Sequence, residues 1–81
     1  MEMSEARVDD MLANIKAEYR RARQMHNPMR GSHEGWAVIY EEVDEMWDEI
    51  KASNIHLARS EAVQVAAMCL AFLLEVNDVA G

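Results

Sequence analysis

Apolar side chains recur along this chain at steps of three and four residues, in three runs separated by breaks. The first run is Val8, Met11, Leu12, Ile15, Tyr19, Ala22 and Met25, the spacing of one face of a helix. Ser4 ahead of Glu5 can open that helix, and Arg20, Arg21 and Arg23 suit the negative end of its dipole. Asn27-Pro28 and Gly31-Ser32 then break the pattern, which makes His26 to Ser32 a loop. In the second run Trp36, Ile39, Tyr40, Val43, Met46, Trp47 and Ile50 form a stripe like a bundle seam. Ser32 is a good N-cap for it, with Gly35 standing where a Glu would complete a capping box. Asn54 interrupts this helix, and Ser60 or Asn54 itself caps the third. The expected elements are helices over about 5–25, 33–53 and 57–76, with no competing strand pattern and no repeat or linker.

The third run differs in kind. From Ala62 to Leu74 every residue except Gln64 is apolar or small, all the way round rather than along one stripe, the pattern of a helix buried on every side. Two partner helices from 81 residues can hardly cover it. A chain this short buries only a modest share of its surface when folded alone. The fold class expected is therefore all-α, a single domain over 1–81 whose three helices form a bundle completed by a second subunit. Trp36, Trp47, Tyr19 and Tyr40 are expected in the core, and Cys69 deep in the apolar helix.

An apolar fraction of 51% argues against disorder, and a single cysteine excludes an internal disulfide and fits a reducing cytosol. The acidic start MEMSEARVDD lacks the chemistry of a targeting peptide. Ala62 to Leu74 is too short to cross a bilayer, so a cytoplasmic location without a membrane partner is expected. Net charge is −7 and unevenly placed: from Glu34 onward the only bases are Lys51 and Arg59. That balance disfavours direct nucleic-acid binding, since a phosphate backbone meets mostly negative surface. Cations, or anions carried in by cations, are the more natural ligands.

The acids are concentrated in EEVDEMWDEI, residues 41–50. At ~100° per residue, Glu42 and Glu45 share the side opposite the apolar stripe, one turn apart. Such neighbours repel unless a cation sits between them, although on this helix alone a solvated acidic face is the simpler reading. After fifteen intervening residues comes Glu61, with Gln64 three beyond it, both on the apolar third helix. An ionised carboxylate there needs compensation by an arginine, a metal ion or exposure. A short turn between helices two and three makes them antiparallel neighbours, so the two pairs of side chains can face each other. Hard oxygen ligands from two facing helices suit Mg²⁺.

Glu41-Glu42-Val43-Asp44-Glu45 followed by Glu61 resembles the EExxE and downstream ExxD signature of the all-α nucleoside triphosphate pyrophosphatases, the MazG and dimeric dUTPase superfamily. HEGWAVIYEEVDEMWDEIK with ARSEAVQVAAMCLAFLLEV is also similar to the small MazG-like proteins often found in bacteriophages; the resemblance covers residues 32–76. It implies a helical bundle assembled as a homo-oligomer, dimer or tetramer. It also implies Mg²⁺-dependent hydrolysis of a nucleoside triphosphate to monophosphate and pyrophosphate. Carried over by position, Glu42, Glu45 and Glu61 would hold Mg²⁺, Glu45 and Glu41 would serve catalysis, and Gln64 takes the place of the family's last Asp. A glutamine keeps a carbonyl ligand but supplies no charge and no base.

Positive groups should approach the phosphates, and His33, Lys51 and Arg59 are candidates for substrate contact, with Arg30 and the Arg20, Arg21 and Arg23 cluster also available. Each is otherwise an ordinary solvated surface group. Two other functions remain open: a catalytically silent helical oligomerisation or regulatory protein of the same fold, and an acidic phage protein that mimics DNA.

Overall fold

The computed structural model describes residues 4–77; the ends of the expected 1–81 domain lie outside them. Three α-helices follow one another: α1, Glu5–Met25; α2, Ser32–Lys51; and α3, Ile55–Glu75. Among the described residues no strand occurs. The Ser4 hydroxyl accepts the Arg7 N–H at 3.2 Å, so α1 opens on the cap expected of it. The second helix begins one residue earlier than expected. Gly31, not Ser32, is its N-cap, which puts Glu34 at the third helical position; from there it accepts the Arg30 N–H at 3.1 Å and pairs with the Arg30 guanidinium at 2.7 Å.

Gly35 has a different reason to be small. A Cβ there would lie 2.6 Å from Cδ2 of Phe72 and 3.2 Å from Sδ of Met29, so the missing side chain is what lets α3 approach α2. At the other end of α2 the chain reverses in a Schellman motif. Asn54 N–H reaches back to the Glu49 carbonyl at 2.9 Å, and Ser53 N–H to that of Ile50 at 3.0 Å. Ser53 takes the left-handed φ of 61° usually given to glycine. Asn54 then caps α3 by position only, its side-chain amide donating instead to Glu49 at 3.1 Å.

This tight turn makes α2 and α3 antiparallel, with Gly35 against Phe72 at one end and Glu42 near Glu61 towards the other. α3 packs against both α1 and α2, which do not pack on each other. α1 runs parallel to α3, as its Tyr19 and Arg23 reach Glu75 near the end of that helix. The connecting loop crosses the C-terminal end of α3. By length and composition α3 could cross a membrane. In the fold it is the central helix, packed on both α1 and α2, and its Glu75 is tied to α1 and the loop.

Glu75 does most of that tying. Its carboxylate accepts the Tyr19 hydroxyl at 2.9 Å, the Met29 N–H at 2.9 Å and an ion pair from Arg23. One half-buried acid thus joins α3 to α1 and to the loop. Burial alone would push its pKa up, but these three donors hold it below the ordinary 4.5. Tyr19, expected as core, serves here as a hydroxyl donor with Arg23 stacked 5.4 Å over its ring.

Large side chains are not where the stripe placed them. Buried apolar residues are Met29, Ala58, Ala67 and Ala71, all modest in size except Met29. Trp36, Tyr40, Val43, Trp47 and Ile50 are exposed on α2, as are Leu73 and Leu74 on α3. Cys69, expected deep inside, is exposed too. The reason is geometric: α3 has neighbours on only two sides, and the seam of α2 faces away from α1.

Two outcomes follow for stability. Gly35→Ala should destabilise by about 1–3 kcal/mol in urea unfolding despite alanine's better helix propensity, because Phe72 must move; a neutral or stabilising result would mean the contact relaxes freely. The folded Glu75 carboxyl binds a proton less readily than the unfolded one, so its contribution is complete above about pH 4.5 and is lost as the pH falls below that value. Glu75→Gln should lower the melting temperature at pH 7 and shrink the difference from the parent at pH 3.

Candidate metal centre

Glu42, Glu45 and Glu61 converge. One carboxylate oxygen of each lies within 4.8 Å of the other two. α2 supplies Glu42 and Glu45 from successive turns, and α3 brings Glu61 to them because the Ser53 turn is tight. Glu42 and Glu61 are half-buried and Glu45 is exposed. The arrangement is the one expected from the spacing, and it crowds three carboxylates together.

Two observations carry that statement. Oε2 of Glu61 is buried without a hydrogen-bond partner. Such an atom costs about 1–3 kcal/mol or more when charged. The Glu42 carboxyl is pushed up to about 7, first by burial, then by a hydrogen bond shared with Glu61 and by the charges of Glu45, Glu61 and Glu41. Glu45 is raised as well, by burial and by Glu61. The donor set fits a hard divalent cation: three carboxylates, one with a spare inward oxygen, open on the Glu45 side to water or to ligand oxygens.

Beside these acids lies a cavity of about 380 Å³ between α1, its loop and the other two helices. Arg21, Arg23 and His26 line one side, and Glu41, Glu42 and Gln64 the other. A basic wall thus faces an acidic one. Nε of Arg23 is buried and unpartnered, although its terminal nitrogens bond Glu75 and the His26 carbonyl. Arg21 is paired with Glu18 on its own helix. Gln64 also engages Glu18, and with Arg21 it helps hold that carboxyl below its ordinary value. An aspartate at position 64 would set two carboxylates against each other there. Glutamine, with an N–H₂ to donate and a carbonyl to spare, fits its neighbour.

The remaining sequence candidates lie elsewhere in the chain. His33 sits with Trp36 and Cys69 in a shallow groove between α2 and α3. Lys51 pairs with Asp48 at 3.4 Å and lies over the Trp47 ring. Arg59 faces Met11 and Ile15 in a groove between α1 and α3. None of the three lines the cavity beside the acids. Arg21, Arg23 and His26 do, and what brings them there is the parallel course of α1 along α3, which helical periodicity does not encode. A hint was nonetheless present: three arginines gathered at the end of α1 ahead of an acid-rich helix.

Without metal, these acids oppose folding as the pH rises. The folded Glu42 carboxyl holds its proton more tightly than the unfolded one, so stability falls between the ordinary 4.5 and about 7 and stays reduced above. The melting temperature of metal-free protein should therefore drop between pH 5 and pH 8. Glu61→Gln should flatten that drop and melt higher than the parent at pH 8; a variant melting lower at pH 8 would mean that the three charges do not strain one another. Comparison with protein-family models, with curated proteins and with solved structures finds no match for this chain.

Proposed function

We propose that this protein is a Mg²⁺-dependent nucleoside triphosphate pyrophosphohydrolase, acting as a homo-oligomer on NTPs or dNTPs. The observation that carries the reading is the meeting of Glu42, Glu45 and Glu61 at one point with the Glu61 Oε2 atom left unpartnered. Its likeness to the EExxE and ExxD pattern in sequence supplies the reaction class. The neighbouring cavity, basic on its α1 wall, is of a size to admit phosphate groups.

In this reading Glu42, Glu45 and Glu61 hold the metal, and Gln64 lines the adjoining cavity with Glu42. Mg²⁺ bound there would neutralise the triphosphate, polarise its phosphoryl oxygens and lower the pKa of the attacking water. Glu41, on the cavity wall beside Glu42, orients that water. Arg21 and Arg23 receive the phosphates from the opposite wall, the unpartnered Nε of Arg23 offering a donor. Water gives up a proton to solvent as its oxygen adds to the α-phosphorus, the bond to the bridging oxygen breaks, and pyrophosphate leaves with the electron pair. His33, Lys51 and Arg59 remain candidates for substrate contact only from a neighbouring subunit.

A second reading, a helical assembly module without catalysis, is favoured by one feature: Gln64 is engaged with Glu18 and brings no charge to the metal. One assay separates the two. Incubation with a panel of NTPs and dNTPs and Mg²⁺ should release pyrophosphate from at least one of them. Glu45→Gln, at an exposed position, should abolish release while leaving helix content unchanged. Release from no nucleotide would refute the enzyme, and normal hydrolysis by Glu45→Gln would show that the site is misassigned.

A further inference from the structure

The side of the molecule away from the cavity is apolar. Trp36, Tyr40, Val43, Trp47 and Ile50 step by four, three, four and three residues along α2, and each is between 39% and 62% exposed. At ~100° per residue they form a ridge opposite Glu41 and Glu45. The rings of Trp36 and Tyr40 pack at 5.9 Å, which stiffens it. Next to the ridge, α3 presents Ala62, Ala66, Cys69 and Leu73 on one face. The groove shared by Trp36, Ile39, Cys69 and Phe72 joins ridge and strip into one surface. Leu73 on it is 79% exposed.

The chain as a whole leaves enough surface open for a stable interface. A compact monomer of this mass exposes about 5,000 Å², whereas this chain exposes 6343 Å². The excess is more than the roughly 800 Å² that each partner of a standard-size complex buries. The radius of gyration, 14.0 Å, likewise exceeds the ~12 Å of a closed domain of this length.

Shape and charge select the occupant. A bulky ridge cannot mesh with its own copy as well as with a trough of small side chains. Pairing α2 with α2 would also bring two acidic helices together, each with Asp44 beside its ridge. The α3 strip carries no charge, and the one charged residue bordering it is Arg59, opposite in sign to Asp44. We infer that a second copy of this chain covers this face, the Trp36–Ile50 ridge of α2 in each copy seated on the Ala62, Ala66, Cys69 and Leu73 strip of α3 in the other. The contact is isologous, as a twofold axis requires, and it leaves the acidic cluster and the cavity open on the far side. It deepens the homo-oligomer part of the proposed function and does not depend on nucleotide hydrolysis.

Sedimentation equilibrium of the full chain tests it, with three exposed leucine or tryptophan positions changed to glutamate. The parent should sediment at twice 9.3 kDa or a multiple of that mass. Trp47→Glu and Leu73→Glu should each weaken the dimer at least about 100-fold, to the monomer at micromolar concentration, with helix content retained. Leu12→Glu on α1 removes as much apolar surface outside the proposed contact and should leave the dimer standing. Cys69 should react with a thiol reagent slowly in the parent and fast in Trp47→Glu. A monomeric parent, or a dimer that Leu12→Glu dissolves and the other two leave intact, overturns the inference. Pyrophosphate release measured on the same preparations keeps the two ideas apart: an inactive but variant-sensitive dimer refutes only the enzyme, and an active protein whose assembly ignores both variants refutes only this interface.

Discussion

A carboxylate taken out of water must be given donors or a cation in return, and α3 takes two of them. Glu75 is fully answered. Tyr19, Arg23 and the Met29 N–H surround it, and in doing so they hold α1 parallel to α3 and draw the α1–α2 loop across its end. Glu61 is not answered: one of its oxygens is buried with nothing to bond, and its nearest neighbours are Glu42 and Glu45. The same chemical cost is thus offset at one end of the helix by the fold and left open at the other. A proton shared with Glu42, or a divalent cation, would offset the cost at Glu61.

Much of this was readable beforehand, for a physical reason. Helix faces repeat every 3.6 residues, so three helices and the Glu42, Glu45, Glu61 constellation follow from spacing plus one tight turn. Asn54 is the N-cap of α3, one of the two positions the sequence offers for it, while the left-handed conformation of the turn falls on Ser53, a choice that a serine does not advertise. Gly35 read as an incomplete cap, yet its cause is the Phe72 ring 37 residues away. Helical spacing puts Glu75 on one line with Glu61 and Gln64 but names no partner for it, though a carboxylate at the C-terminal end of a helix opposes the dipole and so asks for one. The basic wall of Arg21, Arg23 and His26 depends on how α1 lies along α3, and no local pattern states that. The buried seam expected on α2 failed within one chain because α3, the only helix it adjoins, cannot cover a ridge that wide.

The two sides of α2 divide the work. One carries acids towards α1 and the cavity, and the other carries aromatic and branched side chains away from it. On this helix the acids that meet Glu61 and the exposed apolar side chains share no residue. That division explains why so small a chain tolerates seven acids on one helix against a single lysine: the acids gather at one place and on exposed flanks, while the remaining face is free of charge.

The central claim is that Glu42, Glu45 and Glu61 together hold a divalent cation. Isothermal titration of Mn²⁺ into the metal-free protein at pH 7, repeated in buffers of different ionisation heat, tests it most directly. The account predicts binding near one ion per chain, with protons released because Glu42 is partly protonated at that pH in the metal-free state, and loss of the site in Glu61→Gln. No binding, or binding that Glu61→Gln leaves unchanged, would contradict it.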